Sequence, residues 1–153
     1  MGLGDFFPDN IKEDFASRAT ENGSVLFMFV EEFNTNHSKY IIIISKDRTD
    51  VGFVVINTDV NFNVNYSSYL RNQHLRITPS DLSCLDHDSF IDCTDIKPIR
   101  NIEQLEALIK SDPDMVKGEL NQELLNKIHE TITFSRLVSN NKKRRFGFLS
   151  EAS

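Results

Sequence analysis

The segment KYIIIIS, which spans Lys39–Ser45, carries four consecutive isoleucines. A strand with one face in water alternates apolar and polar side chains, whereas a strand covered on both faces is apolar throughout. The run has the length of a strand, so it predicts a strand with packed layers on both sides. With 153 residues, the chain is long enough for one domain with a modest core of this kind.

Four further stretches after Gly23 have the composition of strands. They are rich in β-branched and aromatic residues and are bounded by polar or proline-containing turns. The predicted strands are SVLFMFVEEF (24–33), VGFVVINT (51–58), QHLRITPSDL, which we expect to end at Pro79, and DSFIDCTDIKPI (88–99). Another stretch, DVNFNVNYSSY (59–69), alternates Asn or Asp with apolar residues and predicts either an edge strand or an ordered loop.

Three segments have helical spacing of their apolar residues. They are NIKEDFASRA (10–19), NIEQLEALI (101–109) and the longest one, 120–138. Asn101 and Asn121 stand where an N-cap is expected for the second and third helices. The apolar face of the third consists of Leu124, Leu125, Ile128 and Ile132. Short strands followed by a terminal helix predict a mainly β fold with helices, either a small barrel or a half-open sheet covered by helices.

The charge of the chain is unevenly distributed. The net charge is −6, but residues 139–153 hold four basic residues and one acidic residue, which leaves −9 on the rest. A body this acidic repels nucleic acid at long range, apart from local basic patches. The segment NNKKRRFGFLS is expected to be a flexible, solvated tail, with contact to phosphate as the alternative. The expected organisation is a helical extension over 1–22, a barrel domain over 23–138 and a basic flexible tail over 139–153.

The chain is expected to be cytoplasmic and to have no membrane segment. No apolar run approaches the ~20 residues that are needed to span a bilayer. The start, MGLGDFFPDN, lacks the basic and apolar stretches of a signal peptide.

The segment Leu85–Ile99 holds four carboxylates, a histidine and a cysteine within fifteen residues. As a strand, it would place Phe90, Asp92 and Thr94 on the face opposite to Cys93. Asp86, His87 and Asp88 are sequence neighbours and cannot all converge on one ion without a special loop. None of the common metal-ligand spacings occurs, so we expect no metal and no cofactor.

The order of these segments resembles the MazF/PemK family, the toxins of type II toxin–antitoxin systems. The resemblance is carried by GSVLFMF, a polar loop, KYIIIIS, FVVINT, CLDHDSFIDCTDIKPI and LNQELLNKI, and it covers roughly residues 23–138. It implies an SH3-like β-barrel and a symmetric homodimer that is held by a cognate antitoxin protein. It also implies metal-independent cleavage of single-stranded RNA in a groove at the dimer interface.

In that reaction the 2′-OH of the RNA attacks the adjacent phosphate. The site must remove a proton, stabilise the pentavalent phosphorane and protonate the leaving oxygen. The resemblance implies that Lys39 contacts the scissile phosphate, that Asn57 or Thr58 donates hydrogen bonds to the phosphorane, and that His37 carries the proton. The family usually has Arg-Pro where this chain has Lys39 and Tyr40, so the bidentate fork of arginine is lost. The active site is therefore divergent.

Residues 69–77, YLRNQHLRI, interleave cations with an aromatic ring. Such a pattern holds single-stranded RNA by phosphate contact and base stacking. The candidate RNA-binding residues are Tyr69, Arg71, His74 and Arg76, together with Asp92 and Thr94 at the positions where some family members carry an Arg and an Asp. The alternative function is a catalytically inactive barrel that acts as a protein-binding or regulatory module.

Overall fold

The computed structural model describes residues 9–30, 38–59, 66–99 and 101–149. These ranges contain six strands and five α-helices. In chain order they are α1 (Asp9–Arg18), β1 (Ser24–Met28), β2 (Lys39–Lys46), β3 (Val51–Asn57), α2 (Ser68–Arg71), β4 (His74–Ile77), β5 (Ser89–Ile99), α3 (Ile102–Ser111), β6 (Val116–Glu119), α4 (Gln122–Phe134) and α5 (Asn140–Arg145), with a 3₁₀ turn (Pro113–Met115) before β6.

The six strands form one antiparallel sheet in the order β4-β5-β3-β2-β1-β6. The register shifts in β1, between β2 and β3 and between β3 and β5. Such bulges bend strands and increase their twist. The sheet curls into a half-barrel whose edge strands are β4 and β6, and helices cover it. The expected fold class, mainly β with helices and built on a small barrel, is confirmed.

The four isoleucines of β2 are buried on both faces of the sheet, as the unbroken run predicted. Ile42 and Ile44 belong to a core that we call the α4 core, because Leu124, Ile128 and Ile132 of α4 close it. Ile41 and Ile43 belong to the α3 core, which also contains Leu105 and Ile109 of α3 and Ala16 and Ala19 from the α1 region. The sheet is therefore the middle layer of three.

Both predicted helix caps are confirmed. The side chain of Asn101 accepts a hydrogen bond from the backbone N–H of Gln104 (3.2 Å), and that of Asn121 accepts one from Leu124 (2.9 Å). Helix α4 ends at Phe134 rather than at Val138, because Ser135 has extended backbone.

The expected flexible tail is wrong for residues 139–149. Residues 140–145 form α5, and the side chain of Lys143 is buried. Its Nζ donates to the carbonyl oxygens of Thr133 (3.0 Å) and Ser135 (2.5 Å) at the end of α4. The last carbonyls of a helix lack partners within the helix and carry partial negative charge, so a buried ammonium satisfies and stabilises them.

The other basic side chains of α5 also bind within the protein. Lys142 Nζ lies 2.8 Å from a carboxylate oxygen of Asp95. Arg145 donates from Nε to Asp47 (2.5 Å) and from Nη2 to Asp50, and both aspartates belong to the turn between β2 and β3. We call Arg145, Asp47 and Asp50 the turn clamp. A contact of Lys142 or Arg145 with phosphate would require these pairs to break.

The residues that follow α5 complete the α4 core. Phe146 and Phe148 are buried in it. A Cβ atom on Gly52 would lie 2.9 Å from the Phe146 ring, so the glycine in β3 makes room for that ring.

Three elements were not predicted. Strand β6 and helix α2 have four residues each, and α5 has six. The expected first strand over 24–33 is shorter, because β1 ends at Met28 and residues 31–33 lie outside the described ranges. Of the stretch 59–69, residues 60–65 also lie outside them.

None of the helices described is long and apolar enough to cross a membrane.

We expect Phe146→Ala to lower the free energy of unfolding by about 3–5 kcal/mol, because it removes a buried ring and leaves a cavity. Phe134→Ala is the matched control, since that ring is 78% exposed and its loss should change stability by no more than about 0.5 kcal/mol. Urea unfolding measures both. Equal stability of the two variants would contradict the packing described for the segment after α5.

The turn clamp predicts a specific acid sensitivity. Burial pushes the pKa of Asp47 upward, but hydrogen bonds from the Asp50 amide, Arg145 and the Thr49 amide outweigh it, and the pKa is lowered. A carboxylate with a lowered pKa contributes stability that is fully present above its ordinary pKa and is lost as the pH falls through its folded pKa.

We therefore expect the free energy of unfolding to decrease below about pH 4, and to decrease less in Arg145→Gln than in the wild type. Arg144→Gln removes the same charge from the same helix and should keep the wild-type slope. Urea titrations between neutral pH and pH 3 make the comparison. A wild-type slope in Arg145→Gln would show that the clamp does not cause the effect.

Candidate functional site

Four side chains form a row across one face of the sheet, and we call them the transverse row: Lys39, Asn57, Phe90 and Arg76. The register pairs Asn57 with Phe90 and Phe90 with Arg76. Lys39 Nζ lies 2.9 Å from Asn57 Oδ1. These two residues are opposite each other when the pairing of β2 with β3 is continued to the ends of the strands. Directly opposite residues of an antiparallel sheet share a face, so the row crosses β2, β3, β5 and β4 on one side.

The face that carries the transverse row is divided into two parts. Ile41, Val55 and Phe53 lie in the α3 core. Towards the other end of the same strands, Lys39, Asn57 and Phe90 are half-buried and Arg76 is exposed. The polar part of the face therefore begins where the α3 core stops.

The Lys39–Asn57 contact orients the amide of Asn57. An ammonium group is only a donor, so the amide oxygen must face Lys39 and the amide N–H groups must point elsewhere. Lys39 has two further N–H donors. The pair thus presents up to four donors at the end of β2 and β3, which suits an anion with several oxygens, such as a phosphodiester.

Asp92 and Thr94 lie on the same face as the transverse row, as strand alternation predicted. Asp92 pairs in register with Val55 and with His74. Its Oδ1 accepts from the backbone N–H (2.9 Å) and the hydroxyl (2.6 Å) of Thr94. A carboxylate therefore lies beside the row.

Arg76, at the end of the row, forms an ion pair with Asp88. Its Nε donates to Asp88 Oδ2 at 3.1 Å, and Nη2 donates to the same oxygen. The two side chains are 68% and 45% exposed.

Two other predicted site residues, Thr58 and Arg71, are not part of the transverse row. Thr58 follows the end of β3 and is exposed, so of the two candidates at this strand end it is Asn57 that contacts Lys39. His37 lies outside the described ranges. Arg71 Nη1 donates to the carbonyl of Tyr66 (3.3 Å) at the short helix α2.

Tyr69 contacts the segment after α4 rather than the transverse row. Its hydroxyl accepts from the backbone N–H of Arg136 (2.6 Å), and the Arg136 guanidinium lies 4.1 Å from the ring centroid. The hydrogen bond from this amide is the main reason why the pKa of Tyr69 is lowered. The structure thus divides the predicted RNA-binding residues between two places, with His74, Arg76, Asp92 and Thr94 near the row and Tyr69 and Arg71 away from it.

Phe90 and Asp88 were missing from the sequence-based site. The signal for Phe90 was present, because it alternates in phase with Asp92 and Thr94 along β5. No sequence spacing indicates that Asp88 pairs with Arg76, since this contact depends on the register of β4 against β5.

Within the described ranges, no group of three or more His, Cys, Asp or Glu side chains is arranged to hold a metal ion. A scan against models of known protein families found no match, and a search of curated proteins found none either.

Proposed function

We propose that the protein is a MazF/PemK-like toxin, a metal-independent endoribonuclease that cleaves single-stranded RNA along the transverse row. The observation that carries the proposal is the Lys39–Asn57 pair at the ends of β2 and β3. The resemblance assigns these two positions to the scissile phosphate, and the fold joins them at 2.9 Å although they are 18 residues apart.

The chemistry follows from the donors of this pair. The 2′-oxygen forms a bond to phosphorus, the bond to the 5′-oxygen breaks, and negative charge accumulates on the phosphorane oxygens in between. The Lys39 ammonium and the Asn57 amide would stabilise that charge, and such preorganised donors act more strongly in the transition state than in the substrate. The proposal assigns His37 to proton transfer.

The rest of the row supports contact with the flanking nucleotide. Phe90 offers an aromatic face for base stacking, which tolerates any base. Arg76 offers a guanidinium whose fork matches phosphate. The row therefore combines a cation at each end with an aromatic ring between them.

The proposal also includes the expected partners and location. The resemblance supports a homodimer that is held by an antitoxin protein. The substrate, single-stranded RNA, supports a cytoplasmic location.

Incubation of the purified protein with a long single-stranded RNA in the presence of EDTA tests the proposal. We expect discrete fragments from the wild type and a rate lower by about 100-fold or more for Lys39→Ala, since a lost transition-state donor costs this much. Lys46→Ala is the matched control at the opposite end of β2, where the side chain contacts Thr20, and it should cleave normally. Equal loss in both lysine variants, or no cleavage by the wild type, would argue against the proposed function.

The second candidate function is a non-catalytic module that binds a protein. Phe27 and Phe29 are exposed large apolar side chains two positions apart along the chain, and the Phe27 ring lies 4.7 Å from that of Tyr40. Exposed apolar patches often mark interaction surfaces.

Expression in a bacterium separates the two functions. We expect the active toxin to arrest growth, and Lys39→Ala to relieve the arrest because the phosphate contact is lost. A Phe29→Ser variant should still arrest growth. Relief by Phe29→Ser and not by Lys39→Ala would instead favour the protein-binding module.

A further inference from the structure

Arg76, the cation at the outer end of the transverse row, already forms an ion pair with Asp88. Two N–H groups of Arg76 donate to Oδ2 of Asp88. A carboxylate oxygen accepts from this guanidinium in the same way as a phosphate oxygen would. In the structure, Asp88 therefore stands where an RNA phosphate would have to bind.

The pair can be exchanged at little cost to the fold. Both side chains are largely exposed, at 68% and 45%. Exposed ion pairs contribute only about 0–1 kcal/mol to stability. Asp88 precedes β5, which begins at Ser89, so its side chain can move without disturbing the strand pairing.

The position of Arg76 relates the pair to the Lys39 end of the row. The order β2-β3-β5-β4 separates Lys39 from Arg76 by three strand spacings, about 14 Å. Phe90 lies between them, opposite Arg76. A single strand that crosses the sheet would meet Lys39, then Phe90, then Arg76, so phosphates on two sides of a stacked base would reach the two cations.

We propose that Asp88 is an intramolecular competitor of the RNA phosphate for Arg76 and so limits the affinity of the row for single-stranded RNA. This inference rests on the proposed function. Asp88 thus acts indirectly, through Arg76, and not by a contact of its own with RNA.

The competition should change how the affinity for RNA depends on salt concentration. When a free cation binds a phosphate, the counterion of that phosphate is released, and affinity falls as salt rises. While Arg76 stays paired with Asp88, it neutralises no phosphate and releases no counterion from the RNA. Removal of the Asp88 charge should restore this contribution to the salt dependence.

The test measures binding of a fluorescent single-stranded oligoribonucleotide with 2′-O-methyl groups, which block cleavage, by anisotropy at several salt concentrations. We expect Asp88→Asn to bind about two- to fivefold more tightly than the wild type at low salt, in keeping with the energy of an exposed pair. Its plot of log affinity against log salt should be steeper by about 0.7, the value for one additional contact to a single strand.

Three variants make the result specific. Glu123→Gln removes one negative charge from another exposed ion pair, on α4, where Glu123 is 82% exposed and lies 3.8 Å from Lys127. It should bind as the wild type does. Asp88→Glu should also stay close to the wild type. The double variant Arg76→Gln/Asp88→Asn should lose the gain, because the competitor acts only through Arg76.

Different outcomes overturn different claims. Equal gains for Asp88→Asn and Glu123→Gln would show that only net charge matters, and would overturn the inference. Binding by the wild type without a gain or a steeper slope in Asp88→Asn would overturn the inference and leave the proposed function standing. Binding by Asp88→Asn alone would support the inference in its strongest form. Absence of binding by both proteins would overturn the inference and the proposed function together.

Discussion

The burial of β2 on both faces is the constraint on which the rest of the structure depends. Four isoleucines in succession direct two side chains to each side of the sheet, and each side must then be covered by an apolar layer. Helix α4 and the segment after α5 cover one side, and α1 and α3 cover the other. Polar side chains of β2 that could serve a site are therefore confined to the ends of the strand. Lys39 is at one such end, and Asn57 reaches it because β3 ends beside it.

The basic segment near residue 140 shows how an apparent surface charge becomes part of a fold. Lys143 caps α4, Lys142 binds Asp95, and Arg145 holds the turn after β2. Three acidic residues of the body, Asp47, Asp50 and Asp95, therefore have partners in α5. The strongly basic composition of α5 does not by itself indicate a nucleic-acid contact. The candidate site instead lies on the opposite face of the sheet from the core that contains Phe146.

The sequence predicted what periodicity and capping chemistry determine. Strands β2, β3 and β5 and helices α1, α3 and α4 were recognised because each has a sustained pattern or an N-cap. Strand β6 and helix α2 are too short for a pattern. Helix α5 was missed because its stability comes from ion pairs and a buried lysine, which are tertiary contacts. For the site, Lys39 and Asn57 were named by the resemblance to the MazF/PemK family and not by periodicity or capping. The separation of Tyr69 from Arg76 depends on the path of the chain around α2, which single-sequence reasoning does not provide.

The turn clamp has a consequence for the order in which the protein folds. Arg145 is 98 residues from Asp47 and 95 from Asp50 along the chain, whereas β2 and β3 are joined by a turn of four residues, 47–50. Closing a long loop costs more chain entropy than closing a short one, and contacts distant in sequence slow folding. We infer that the hairpin of β2 and β3 forms early and that the clamp closes on it late. An interaction absent from the folding transition state acts mainly on the unfolding rate. The clamp thus serves chiefly to keep an already folded molecule from opening.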